Sequence, residues 1–180
     1  MSVPSDFRCE SPEVFYRSTD DIQLKSTVFE QLRTAAEAAP RDRARICLHE
    51  HPGVAVHEML IMHKKETYIQ PHRHLGREES LVVVQGTASL KFFDDLGGVI
   101  RVATLGDFRS GMNWYARIPA NQFHTLVISS DWFLFLEVTA GPFRPDSTER
   151  SAWSPTDALI DKRHSVEAQH YLHSLEKLTK

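Results

Sequence analysis

The sequence predicts a mainly β protein, a single antiparallel sandwich or barrel. A helix precedes it and an extension ending in a second helix follows. Three observations carry this reading. Between residues 43 and 139 the polar–apolar alternation has a period of two. About nine short runs of this kind fit into roughly 100 residues, with no helical period among them. Turn residues fall between the runs, as at Asp94-Asp95-Leu96-Gly97-Gly98, Gly106-Asp107 and Ser129-Ser130-Asp131.

The elements follow in order. Residues 1–42 form an arm and a helix. The arm carries Pro4 and Pro12 and one short strand at Val14–Arg17. The helix covers Leu24–Ala39: Thr27 and Glu30 have capping-box spacing, Val28, Leu32, Ala35, Ala36 and Ala39 make one apolar stripe, and Pro40 ends it. The barrel covers residues 43–143. Its strands are Arg43–His49, Val54–His63, Tyr68–His74, Leu81–Gln85, Thr87–Phe93, Val99–Leu105, Trp114–Ile118, Phe123–Ser129 and Trp132–Thr139. Residues 144–180 form the extension. It contains Pro145 and Pro155, then Ser165–Leu178 with Val166, Ala168, Tyr171, Leu172, Leu175 and Leu178 at helical spacing.

Composition removes several function classes. The chain has 180 residues, 25% of them charged, with a net charge of −3. That balance argues against a polybasic nucleic-acid binder. No apolar run is long enough to span a membrane. The start, MSVPSDFRCE, lacks the basic end and apolar core of a secretory signal. Cys9 and Cys47 are too few for a disulfide framework, so a reducing cytoplasm is the expected location. The unusual count is histidine: ten, of which His49, His51, His57, His63, His72, His74 and His124 fall in the barrel segment.

The chemistry concentrates in Pro71-His72-Arg73-His74-Leu75-Gly76-Arg77-Glu78-Glu79. Residues two apart on a strand share a face, so His72 and His74 point the same way. Gly76 breaks the strand, a new strand then starts, and the Glu79 carboxylate can swing to the same centre. Pro119-Ala120-Asn121-Gln122-Phe123-His124 is a turn that delivers a third histidine to another strand. Three imidazoles and a carboxylate suit Fe(II), Mn(II), Co(II), Ni(II), Zn(II) or Cu(II).

His72, His74, Glu79 and Gly86 match His-x-His-x4-Glu-x6-Gly, the first motif of the cupin superfamily. Pro119-x-Asn121-x-x-His124 resembles the second, Pro-x-Gly-x-x-His, with Asn121 where Gly is usual. Asn is the next-best residue for a positive φ. Ile128 stands where that motif often ends in Asn. The wider set resembles the WbuC-type cupin-fold metalloproteins found with O-antigen and other polysaccharide biosynthesis genes. It comprises Arg45-x-Cys47-x-His49, Val56-His57-Glu58-Met59-Leu60-Ile61, Tyr68-Ile69-x-Pro71, Phe93-Asp94-Asp95-x-Gly97, Arg117-Ile118-Pro119, Gly141-Pro142-Phe143 and Trp153-Ser154-Pro155. The resemblance covers roughly residues 43–155. It implies a double-stranded β-helix (the jelly-roll cupin barrel) with one divalent transition metal, such as Fe, Zn, Ni or Mn, on His72, His74, Glu79 and His124.

Around that centre, Arg45, His49, His57 and Tyr68 are the candidate residues for substrate and proton chemistry. Arg43, Arg45, Cys47 and His49 share one strand face; Tyr68 and Gln70 are placed on the face of His72 and His74. Tyr115 and Arg117 share a face of the strand entering the second motif. Glu137, a charge in an apolar run, is a candidate partner for a cavity histidine. His51 and His63 read as turn or surface residues, and His170 and His173 as a solvated helix face. Three functions fit: a sugar or sugar-nucleotide isomerase or epimerase of polysaccharide biosynthesis, an Fe(II)-dependent dioxygenase, and a non-catalytic small-ligand-binding cupin. A small-molecule substrate is expected, with no nucleic-acid or membrane partner. A homodimer is the expected assembly.

Overall fold

The computed structural model describes residues 6–160 and 163–178. The first five residues of the predicted arm, with Pro4, lie outside the described residues, as do 161–162 and 179–180 of the extension. The elements are β1 (Phe7–Ser11), β2 (Val14–Arg17), α1 (Thr27–Ala38), β3 (Arg43–Cys47), β4 (Val56–Lys64), β5 (His72–His74), β6 (Glu79–Gln85) and β7 (Thr87–Phe93). They continue with β8 (Val99–Gly106), β9 (Tyr115–Ile118), β10 (Phe123–Ile128), β11 (Trp132–Ala140), β12 (Thr148–Arg150), β13 (Leu159–Ile160), β14 (Arg163–His164) and α2 (Val166–Glu176).

Two sheets face each other, in the orders β1-β2-β3-β4-β11-β6-β9 and β12-β5-β10-β7-β8. From β4 to β11 the chain crosses repeatedly between them, which is the double-stranded β-helix. Pairing is antiparallel except between β2 and β3. β1 had no signal in the sequence; it exists because β2 lies beside β3 and offers its other edge.

Alternation along each strand decides what lies inside. On β4, Met59 and Ile61 join the barrel core of Leu81, Val83, Leu90, Phe92, Leu126, Phe133 and Phe135. Leu60 and Met62 point the other way, onto Ala44, Ile46 and Leu134 under the α1 stripe of Val28, Leu32, Ala35 and Ala36. A third cluster puts Phe93, Phe123 and Val127 under Ala168, Leu172 and Leu175 of α2. Ser165 caps α2 by accepting from Ala168 N at 3.1 Å.

The capping box predicted for α1 does not form. Ser26 is the N-cap, and its side chain makes no cap hydrogen bond. Its backbone is already helical (φ −57°, ψ −23°), whereas a capping side chain needs extended backbone to reach the exposed N–H groups. Glu30 instead pairs with Arg33 at 2.6 Å.

Two glycines hold the frame. A Cβ on Gly86, at φ +88°, would lie 2.1 Å from the Trp132 carbonyl oxygen. A Cβ on Gly141 would lie 1.9 Å from the Val54 carbonyl oxygen and 2.6 Å from His57 Nε2. Among the described residues, no helix is long and apolar enough to cross a membrane.

Candidate metal centre

His72 and His124 are direct partners across β5 and β10. His74 follows on β5, and Glu79 opens β6 on the facing sheet. One side-chain nitrogen from each of the three histidines lies within 4.8 Å of the others. Glu79 reaches into the set, with Oε1 2.8 Å from His74 Nε2 and Oε2 3.2 Å from His124 Nε2.

The remaining ring nitrogens show how this set would take a metal. His72 Nδ1 stands 2.9 Å from the Gln70 carbonyl, and His124 Nδ1 2.9 Å from the Gln122 carbonyl. A carbonyl only accepts, so both Nδ1 atoms carry a proton, and Nε2 is the nitrogen each ring has left for a metal. His74 differs. Its Nδ1 meets Thr148 Oγ1 at 3.0 Å and Arg77 Nη2 at 3.2 Å. A guanidinium only donates, so with Arg77 engaged the His74 proton sits on Nε2, facing Glu79. The Thr148 hydroxyl can accept as well as donate, so it can hold that proton on Nδ1 when Nε2 binds a metal. His72, His74, His124 and Glu79 would hold a divalent ion if the three rings drew closer around it.

Asn121 locks the two halves together. Its φ is +63°, as the turn requires. Its N–H donates to the His74 carbonyl at 2.9 Å, and its Oδ1 accepts from Gly76 N at 3.0 Å. The second bond is one that Gly in this position could not make.

The charges are tuned by burial and by one another. Burial pushes His72 down to about 3, with the neighbouring His124 acting in the same direction. Burial alone would raise the Glu79 carboxyl, but hydrogen bonds from His124 and His74 reverse this, so it stays ionised well below the usual carboxylate range. Glu137 is pushed up to about 8 by burial and then by the Glu79 charge, against the pull of Arg45 and Arg77. At neutral pH it is therefore mostly a carboxylic acid.

These groups line one cavity of about 590 Å³. Arg45, Cys47 and His49 line it from the β3 side, and His57 from β4. The ring nitrogens of His49 and His57 serve the backbone. His49 Nδ1 is 3.2 Å from Glu58 N, a donor, and His57 Nε2 is 3.0 Å from the Pro52 carbonyl. Their rings stack at 4.2 Å, 4° from parallel. Burial lowers His49 to about 4, so it is neutral at pH 7. Burial likewise raises the Cys47 thiol, leaving it un-ionised.

Two sequence expectations are corrected, for Tyr68 and His63, and the face of Tyr115 and Arg117 is settled. Tyr68 does not line the cavity. It is fully buried in the α2 cluster, and its hydroxyl donates to the Pro155 carbonyl at 2.7 Å. Strand alternation cannot be carried back from His72 to Tyr68, because the ladder begins only at His72, after Pro71. Tyr115 and Arg117 face outward: Ile118, the partner of Glu79, takes the inward position. Tyr115 meets Ser80, and Arg117 pairs with Glu78. His63 is no surface residue. It is 6% exposed and lines the cavity, and its spacing from His57, Met59 and Ile61 along β4 was the available signal. Arg77, Arg150 and Asp157 also line the cavity and carried no motif.

Residues 24–105 match the model of a domain of unknown function (DUF6016). No curated protein matches the sequence. Similar solved structures include oxalate decarboxylase from Bacillus subtilis, with 18% identity and a TM-score of 0.47 over 60% of this chain and 27% of that one. The formate complex of Lactobacillus farciminis oxalate decarboxylase has 20% identity and a TM-score of 0.43 over 53% of this chain and 26% of that one. An uncharacterized conserved protein with a double-stranded β-helix domain from Klebsiella pneumoniae has 16% identity and a TM-score of 0.46 over 61% and 84%. The chain thus spans about a quarter of the length of the two decarboxylases.

Proposed function

We propose that this chain is a metal-dependent enzyme of the WbuC type. It would act on a small, oxygen-rich substrate of polysaccharide biosynthesis, by isomerase- or epimerase-type chemistry. The observation that carries the reading is the contents of one cavity: a donor set of three histidines and one glutamate, a further carboxyl at Glu137, and two arginines, Arg45 and Arg77, that form no ion pair among the described residues.

His72, His74, Glu79 and His124 hold the metal. When bound, a divalent ion supplies a Lewis acid for a carbonyl or hydroxyl oxygen of the substrate. Arg45 and Arg77 attract anionic oxygens into the cavity. Burial raises the proton affinity of the Glu137 carboxyl, which suits it to carry the proton that moving a hydrogen between neighbouring carbons requires. The apolar wall of Met59, Ile61, Leu81 and Phe135 limits water beside these groups.

The same donor set also suits Fe(II), so a dioxygenase is the second reading. Metal analysis of chain purified without chelator, beside a His72→Ala, His124→Ala double variant, is the first test. About one ion per chain, lost in the double variant, supports the site; no ion taken up even on reconstitution refutes it. Isomerisation of sugar phosphates or sugar nucleotides without oxygen then supports the first reading, and oxygen uptake the second.

A further inference from the structure

The cavity runs well beyond the metal end. His57 lies in the same cross-strand row as Thr139 and Glu79. His63 is six residues further along β4, about 20 Å away at 3.3 Å per residue, and still lines the same cavity. A bare monosaccharide at the metal leaves that far end empty.

The far end is built for an anion. Arg43 is the direct partner of His63, and Arg45 is the partner of Ile61 in the next inward row. Arg41 lines the cavity beside them. Glu13 is the carboxylate that answers this group, 3.3 Å from Arg41 and 3.5 Å from Arg43. Asp157 also faces the cavity, but its ion pair is with Arg150, at 3.5 Å. Arg45 forms no ion pair among the described residues, so positive charge is in surplus. His63 is 6% exposed and its Nδ1 has no hydrogen-bond partner. A buried ring nitrogen without a partner is costly in a protein interior; Nδ1 is closed off from the cavity space here, so a ligand oxygen would reach it only with a shift of the ring.

We propose that Arg43, Arg45 and His63 form a phosphate-binding end of the cavity, so that the substrate is a phosphate-bearing sugar held by its anion here while the sugar reaches the metal. This rests on the reading of the cavity as a substrate site and names the substrate class. A phosphate monoester and the diphosphate of a sugar nucleotide share this chemistry. Both offer several oxygens to guanidinium donors and a charge that matches the surplus.

The test is calorimetric titration of inorganic phosphate, pyrophosphate and acetate into the full chain, read as affinity and not as turnover. Wild type, metal-loaded and chelator-treated, is compared with Arg45→Gln, Arg43→Gln and His63→Phe. Arg45 is exposed and outside any ion pair, so its variant carries little folding risk. The expected result is binding of phosphate or pyrophosphate in preference to acetate. It should survive chelation and weaken roughly tenfold or more in Arg45→Gln. Stronger binding of pyrophosphate assigns a sugar nucleotide, and stronger binding of phosphate a sugar phosphate. Absent binding, equal affinity for acetate, indifference to both arginine variants, or loss on chelation would each overturn the proposal. A chain that binds phosphate but never takes up metal refutes the metal reading and leaves this one standing.

Discussion

His72, His74 and His124 share a cavity with His49, His57 and His63, yet the two trios do different work. In the first, His72 and His124 use the same device: each Nδ1 is tied to the carbonyl two residues earlier, which aims Nε2 at a common point. In the second trio the nitrogens diverge. His49 and His57 stack and spend a nitrogen each on backbone, at Glu58 of β4 and at the Pro52 loop, while His63 lies against Phe135 with Nδ1 unpartnered. What would make a histidine a ligand here is the partner of its other nitrogen, more than its depth or its strand.

The sharpest way to break this contrast is to remove one member from each trio. His124→Ala should lower bound metal from about one ion per chain to under about a tenth, a loss of at least tenfold in affinity, measured by mass spectrometry. His57→Ala should leave metal content unchanged. Loss of metal in His57→Ala alone would erase the distinction.

Acid comes next. His49 and His63 have folded values of about 4 and about 3 against about 6.5 in the unfolded chain, because burial disfavours the charged ring. The unfolded chain binds their protons first, so their contribution to stability is full above about pH 6.5 and lost as pH falls toward the folded values. By pH 5 each should cost about 2 kcal/mol. Denaturant melts from pH 7 to 4.5 should show this fall, and His63→Phe should flatten it. A profile unchanged by His63→Phe would show that its ring is not buried as described.

The third effect is smaller. His57→Ala should destabilise by about 1–3 kcal/mol, through the lost bond to Pro52 and the lost stacking against His49. The smallest is Asn121→Gly. The backbone tolerates it, so only the Oδ1 bond to Gly76 is lost, at about 1 kcal/mol in a chemical melt.

Much of this architecture was legible. Thr87–Phe93 is read from the sequence with the bounds it has in the structure, because Gly86 and Asp94 mark both ends chemically. The four proposed metal ligands were legible because a two-residue strand period and a tight turn fix direction locally. Tyr68 was misplaced because alternation has no meaning where the ladder is interrupted. The face shared by Tyr115 and Arg117 could not be assigned, because a four-residue strand gives no sign of which side is inward until Ile118 is seen opposite Glu79. That His63 and Arg43 meet was hidden for another reason: the pairing that sets them side by side at the far end of the cavity joins strands separated in sequence. The role of the extension was equally invisible, since pairing between Thr148 and His74 spans 74 residues.

That last pairing sets an order of events during synthesis. Until residues 148–150 have left the ribosome, β5 is the outer edge of its sheet, and His74 lacks the Thr148 hydroxyl that can hold the proton its metal-binding tautomer needs. The strand bearing two of the proposed ligands is therefore made early and finished late. A nascent chain stopped before Thr148 would present a bare strand edge, open to mispairing with other chains, at the place where the finished protein would hold its ion.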